Sequence, residues 1–175
     1  PTVATNAVLE RKGGRVGVIV TTGTGDIFAL QRHDRTAIYD LHYRKPAPVI
    51  ARSDISEINE RLAADGSIIQ ALDEARLDRV IGAFLTSAPF DAIAVCLLHG
   101  YANPVHERCV SEAIRRYQPD IPVTLSSDVS PEFREYERAT TTALAAYVQP
   151  VIAGYLSRLT DKLQAAGFKG RFSMM

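Results

Sequence analysis

The tightest constraint on the fold is a strict alternation that begins at Asp73. Leu77, Val80, Ile81 and Phe84 recur at helical spacing, and residues 91–98 then form a near-continuous apolar run. Val110, Ala113, Ile114 and Tyr117 repeat the helical spacing, and 121–125 is a second apolar run. A helical stripe needs a surface to cover, and a strand apolar on both faces needs cover on both. An α-β-α-β order meets both needs with parallel strands joined by crossover helices on the sheet faces. The chain is therefore expected to be α/β, a mixed sheet with parallel βαβ crossovers. Segments 91–98 and 121–125 should be parallel neighbours, and the helix between them should bury Val110, Ile114 and Tyr117.

Local signals fill in the rest. Residues 2–12 read as a helix with Val3, Ala7 and Val8 on one face, stopped by Gly13-Gly14 as a C-cap pair. Segment 15–21 (RVGVIVT) reads as a buried strand, followed by a turn at Gly23-Thr24-Gly25-Asp26 and a short helical stretch over 27–31. Lys45-Pro46-Ala47-Pro48 forbids helix within the long connection 33–53. Segments 55–62 and 67–72 flank Ala64-Asp65-Gly66 and read as a hairpin. Asp73 and Asn103 are placed as N-caps, with Pro104 in the first turn of its helix. Ser130-Pro131 should open a long helical region whose stripe resumes at Ile152, Leu156, Leu159 and Leu163 and ends at Gly167, with a kink or restart at Pro150.

At 175 residues the chain is long enough for one domain with a real core. Lys+Arg and Asp+Glu balance at 20 each, without a basic stripe, so charge gives no case for nucleic acid or an anionic membrane. Cys96 lies inside an apolar run and reads as a small buried hydrophobe in a reducing compartment. No stretch approaches the ~20 apolar residues of a membrane span and no signal peptide is recognisable, so a cytoplasmic location is expected. The chain opens at Pro1 without an initiator Met and closes on the apolar run 171–175. Both ends read as boundaries within a longer protein.

Cys96, His99, His106 and Cys109 invite a metal reading, but their spacing spreads them over a strand, its end and a helix, so no metal site is expected. Gly23-Thr24-Gly25 has neither the G-x-G-x-x-G fingerprint nor a following Lys-Ser/Thr, and reads as a tight turn. Two clusters carry more chemistry. Arg32-His33-Asp34-Arg35, with Tyr39 and Asp40, is either a clamp for a carboxylate, phosphate or cyclic imide, or a solvated charged loop. The second is 134–138 followed by Thr140-Thr141-Thr142. Glu135 can pair with Arg138 and Arg134 with Glu137 on a solvated helical turn. Three β-branched hydroxyl residues in a row cost helix propensity and argue for a functional reading, while mixed charge on one helical turn is usually a solvated face.

The chain resembles the A-type subunit of the hydantoinase/oxoprolinase family, which includes N-methylhydantoinase, 5-oxoprolinase and the acetone carboxylase β subunit. The resemblance rests on segment 2–13 (TVATNAVLERKG), Tyr39-Asp40-Leu41, segment 94–99 (AVCLLH), Tyr101-Ala102-Asn103-Pro104-x-His106-Glu107, and Ser126-Ser127-x-Val129-x-Pro131 running on through 132–138 (EFREYER), all in the family's order. It implies part of an actin/Hsp70-like (ribonuclease H-like) ATPase that uses ATP and Mg2+ in the full-length enzyme, with the phosphate loops outside this chain and no cofactor bound to it alone. By the same resemblance, 1–127 is part of the N-terminal hydantoinase/oxoprolinase region and 128–175 the start of the core domain. The partner it implies is a B-type hydantoinase subunit or fused B-type domain. The family's Gly-Arg-Gln-x-Arg-Pro pattern stands here as Gln31-Arg32-His33-Asp34-Arg35-Thr36, keeping both arginines.

Phosphoryl transfer to a poor oxygen nucleophile needs fixed cations. The expected catalytic residues are therefore Arg32, Arg35 and Arg138, with Asn6, His33 and Thr141 binding a small-molecule substrate. Three functions follow as expectations: an ATP-dependent cyclic amidase that phosphorylates an amide or imide oxygen, an ATP-dependent ketone carboxylase subunit, or a non-catalytic assembly module.

Overall fold

The structure, a computed structural model, describes residues 2–32, 38–168, 170 and 172. The chain runs through Thr2–Leu9 (α1), Val16–Thr21 (β1), Ile27–Leu30 (α2), a 3-10 turn at Arg52–Asp54, Ile55–Ile58 (β2), Arg61–Leu62 (β3) and Ile68–Gln70 (β4). It continues through Glu74–Ser87 (α3), Ala92–Cys96 (β5), Val105–Tyr117 (α4), Val123–Leu125 (β6), Ser126–Val129 (α5) and Glu135–Ala165 (α6). Strands β2, β1, β5 and β6 form one sheet in that order. Every pairing in it is parallel, with Val18 opposite Ile55, Val16 opposite Ala92 and Ile93 opposite Val123. The expected parallel neighbours 91–98 and 121–125 are β5 and β6, and their crossover helix α4 buries Val110 and Ile114.

The apolar runs of β1 and β5 are continuous because the sheet is covered on both sides. Val16, Val18, Val20, Ala92, Ala94 and Cys96 join a core with Ala139, Ala143, Ala146 and Tyr147 of α6. The alternate residues Ile19, Ile93, Val95 and Leu97 join Leu77, Ile81 and Phe84 of α3 and Val110, Ala113 and Ile114 of α4. Side chains as fully buried as Ile81, Ile93 and Ile114 each contribute roughly 1.5–3 kcal/mol. The alanine stripe of α6 over Ala92 and Ala94 lets that long helix lie close to the sheet.

Several boundaries differ from the sequence reading, each for a packing reason. The expected hairpin 55–62/67–72 splits: Ile55 and Ile58 are buried beside β1, so that segment becomes a parallel edge strand, and only β3 and β4 pair antiparallel. The turn between them stands, with Gly66 at φ +83° and Asp65 accepting from the Ser67 N–H and hydroxyl. Helix α1 ends at Leu9, and the left-handed residue after it is Arg11, not a glycine. Gly13 and Gly14 serve contact instead. A Cβ on Gly13 would stand 2.2 Å from the Tyr147 ring, and the Gly14 N–H donates to the Tyr147 carbonyl at 2.9 Å.

Helix α6 opens at Glu135, after the separate turn of α5, and runs through Pro150 to Ala165 without a restart. Ala143, Ala146 and Tyr147, packed on the sheet, hold it across the hydrogen bond the proline cannot make. Pro104 is the N-cap position of α4, one residue later than expected, and Asn103 Oδ1 still accepts from the Val105 N–H. Tyr117 is 45% exposed rather than inward; its hydroxyl donates to Asp78 at 2.6 Å and ties α4 to α3.

Candidate functional site

A sheet of order β2-β1-β5-β6 has a point of reversal between β1 and β5. From β1 the chain moves outward to β2, and from β5 it moves outward to β6 in the opposite direction. In open parallel sheets, ligands bind outside the carboxyl ends of the strands at such a point. Here two buried polar relays gather at those strand ends.

The first relay starts at Thr21, the last residue of β1. Its hydroxyl accepts from the Leu98 N–H at 2.8 Å and donates to Glu60 Oε1. The other Glu60 oxygen meets His106 Nδ1 at 2.6 Å, and both side chains lie inside the protein. The relay joins the ends of β1 and β5, the β2–β3 connection and the first turn of α4.

The second relay centres on Glu107, fully buried in α4. Its Oε1 accepts from the Leu97 N–H at 3.0 Å and the Ser126 hydroxyl at 2.5 Å; Oε2 accepts from the Ser127 N–H at 2.9 Å. Arg138 of α6 closes it, donating from Nη1 to Ser126 Oγ at 3.1 Å and from Nη2 to the Leu97 carbonyl at 2.9 Å. Arg138 is 1% exposed, and its guanidinium stands 5.5 Å from the centroid of the Tyr101 ring. Its Nε makes no hydrogen bond to the protein. Tyr101 follows the turn at His99, a non-glycine residue at φ 57°. Arg138 also lines a small cavity at the β1–β5 reversal with Val20, Thr24, Cys96, Leu98 and Glu135. Burial pushes the Cys96 thiol up to about 11, against the opposing pull of the Arg138 charge.

The sequence left Arg138 either in a catalytic cluster or on a solvated turn paired with Glu135. The helix instead turns it inward, and the alternation of α6 gives Glu137 to the outside. Glu137 receives Arg32, so Arg32 meets the outer side of the turn of α6 whose inner side carries Arg138. That hydrogen bond holds the Glu137 carboxyl below its usual range. His33 and Arg35 lie outside the described residues. Asn6 on α1 and Thr141 on α6 are both exposed, whereas Thr142 is buried with its hydroxyl donating to the Arg138 carbonyl at 2.7 Å.

Sequence reasoning missed Glu60, Glu107 and Ser126 as members of a site. Glu107 carried a signal, since it falls on the same helical stripe as Val110 and Ile114, where a solvated carboxylate has no place. Among the described residues no three His, Cys, Asp or Glu side chains gather as metal ligands would. Gly23-Thr24-Gly25 does not suit a nucleotide phosphate. The Gly23 N–H is given to Glu57 Oε2 at 2.9 Å, and that carboxylate also crowds Gly25. A phosphate there would meet a negative charge where it needs free donors.

Residues 1–118 match the hydantoinase/oxoprolinase N-terminal region. The chain is 34% identical to the acetophenone carboxylase gamma subunit of Aromatoleum aromaticum, over 99% of its own length and 25% of the relative's. It is 33% identical to 5-oxoprolinase 1 of Arabidopsis thaliana, over 92% of its own length and 14% of the relative's. The solved structure of the ATP-dependent caprolactamase from Pseudomonas jessenii superposes with a TM-score of 0.83 at 30% identity, covering 93% of this chain and 24% of that one. The chain thus spans about a quarter of the length of the relatives of subunit size. With the sheet order, the matched region and this superposition in agreement, the chain belongs to the hydantoinase/oxoprolinase family.

Proposed function

We propose that the full-length protein is an ATP-dependent hydrolase of cyclic amides, which activates an amide or imide oxygen by phosphorylation. The observation that carries this reading is Arg138, a permanent cation buried at the β1–β5 reversal with one guanidinium N–H unspent on the protein. A cation fixed before reaction stabilises developing negative charge without reorganisation. Arg32, held by Glu137, and Arg35 of the same segment are assigned to catalysis with Arg138, and His33, Asn6 and Thr141 to substrate binding. Among the described residues, the glycine turn after β1 is taken up by Glu57, and in this reading ATP and Mg2+ belong to other parts of the longer protein. In this reading 1–127 is the N-terminal region and 128–175 opens the core domain, and a B-type subunit or fused domain completes the enzyme.

A second reading has its own support. The identity to an acetophenone carboxylase subunit extends over nearly the whole chain, so ATP-dependent carboxylation of a ketone fits the same family frame. ATP hydrolysis by the full-length protein with its partner subunit separates the two. Stimulation by hydantoins, 5-oxoproline or a lactam supports the hydrolase, and stimulation by a ketone with bicarbonate supports the carboxylase. Arg35→Ala should then lower turnover about a hundredfold with an unchanged melting temperature. Turnover near wild type would make that segment a solvated loop only.

A further inference from the structure

The small cavity at the β1–β5 reversal presents a second reactive group beside Arg138. Its floor is buried, with Cys96 of β5 and Arg138 of α6, and its rim carries Thr24, Leu98 and the exposed Glu135. We propose that Glu135 is the general base of the reaction, taking the proton next to the oxygen that is phosphorylated. The proposal rests on the functional reading above and adds a catalytic residue to its site.

Phosphorylating a carbonyl oxygen asks for more than a cation. An amide oxygen is a poor nucleophile until the neighbouring N–H gives up its proton, and a positioned base lowers that barrier. In the step, the Glu135 carboxylate takes the N–H proton, and the electron pair of that bond becomes the second bond of a C=N. The carbonyl oxygen forms a bond to the γ-phosphorus of a nucleoside triphosphate. The bond from that phosphorus to the bridging oxygen breaks, and the nucleoside diphosphate leaves with the electron pair. The products are an O-phosphorylated imidate, the diphosphate and a protonated Glu135. A ketone follows the same course from its α C–H to an enol phosphate, so the carboxylase reading needs the same base.

The geometry suits this pairing. A small ring holds the amide N–H and C=O on the same side, so a donor and an acceptor standing side by side can meet both. Glu135 and Arg138 are three residues apart on α6, where side chains are neighbours on one face, and both line the cavity. Arg138 Nε, with no hydrogen-bond partner in the protein, is the donor for the oxygen. The Glu135 charge reaches the end of β5, where it is one of those that keep the Cys96 thiol protonated. The other carboxylates around the strand ends are committed: Glu57 to Gly23 and Arg52, Glu60 to Thr21 and His106, Glu107 to Leu97 and Ser126, and Glu137 to Arg32. Cys96 does not serve as the base, because burial pushes its thiol up to about 11.

Glu135→Gln and Glu135→Ala in the full-length protein with its partner subunit test this. The compound used is whichever of hydantoin, 5-oxoproline, ε-caprolactam, or acetophenone with bicarbonate stimulates ATP hydrolysis by the wild type. Both variants should keep the wild-type melting temperature, since Glu135 is exposed. Glu135→Gln should lower kcat about a hundredfold or more. Calorimetric affinity for the compound should stay at the wild-type value, because the Gln amide oxygen still accepts a hydrogen bond. The fall in rate toward acid pH, where a base is protonated, should disappear in Glu135→Gln; the groups facing Glu135 across the cavity are Arg138 and Cys96. Formate should restore part of the Glu135→Ala rate, which it could not do for a residue that only starts α6. A stimulated wild type matched by Glu135→Gln overturns the proposal and leaves the functional reading standing, as does a base effect that moves with His33→Ala instead. A loss of affinity as large as the loss of rate also overturns it, by making Glu135 a binding residue. No stimulation of the wild type by any compound removes the functional reading and the base with it.

Discussion

Glu107 is a carboxylate with nearly every lone pair spoken for. Three donors converge on it from β5 and α5, and Arg138 reaches it through the shared Ser126 hydroxyl. Removing its charge turns one acceptor oxygen into an NH2 group facing donors. Glu107→Gln should therefore lower unfolding stability by about 1–3 kcal/mol, the cost of stranding buried hydrogen-bonding groups. Denaturant unfolding measures it, and a change within error would mean the relay is slack. The same surroundings govern Cys96. With its thiol pushed up to about 11 by burial, the thiolate fraction at pH 8 is only on the order of one in a thousand. Cys96 should resist alkylation by iodoacetamide at pH 8 until the protein unfolds, and the half-buried Cys109 should react first. Rapid modification of native Cys96 would show that the β5 end opens readily.

At the scale of elements, β1 and β2 are joined near their starts by Arg15 and Asp54. Arg15 donates from Nε at 3.1 Å and Nη2 at 2.8 Å to the two carboxylate oxygens. Those hydrogen bonds hold the Asp54 carboxyl below its ordinary range, against the opposing pull of burial. A carboxyl whose folded value lies below its unfolded one stabilises the fold above the unfolded pKa of about 4 and loses that contribution as pH falls through the folded value. The stability gap between wild type and Asp54→Asn should thus be constant from about pH 5 to 7 and close toward pH 2. A gap that persists at pH 2 would mean the pair acts by packing rather than charge.

The elements themselves were legible from the sequence where one periodicity ran long enough. The stripe of α3, the run of β5 and the stripe of α4 each state their neighbours, because burial on a known face leaves few arrangements. What was not legible depended on contacts distant in sequence. Segment 55–58 looks like half a hairpin until β1 is known to lack a neighbour on that side. Gly13 looks like a cap until Tyr147 is known to lie against it. Arg138 looks solvated until the turn of α6 is placed over the end of β5. The sequence singled out Arg138 among the expected catalytic residues, but the groups that meet it, Ser126 Oγ, the Leu97 carbonyl and the Tyr101 ring, come from three distant segments.

For the molecule as a whole, the sheet is covered by helices on both faces, and among the described residues the glycine-rich turn after β1 is filled by carboxylates. Gly23 gives its N–H to Glu57, Arg52 bridges Glu57 and Asp26, and the α2 helix that follows has one turn, too short to present a useful dipole. A triphosphate approaching this turn would have to displace Glu57 from Gly23 and Arg52 while bringing negative charge against both carboxylates. Coulomb repulsion between unit charges about 4 Å apart is about 4 kcal/mol at the effective dielectric of a protein surface, more than the roughly 1.5–3 kcal/mol of one hydrogen bond to a charged group. The 175-residue chain by itself should therefore bind ATP no more tightly than millimolar and show no measurable ATPase activity. Titration calorimetry with MgATP decides it. Micromolar binding to this chain would place a nucleotide site within these residues and overturn the division of labour proposed between this region and the rest of the enzyme. Glu57→Gln refines the test: if charge at the turn is what excludes phosphate, that variant should gain weak, salt-sensitive affinity for MgATP while the wild type has none.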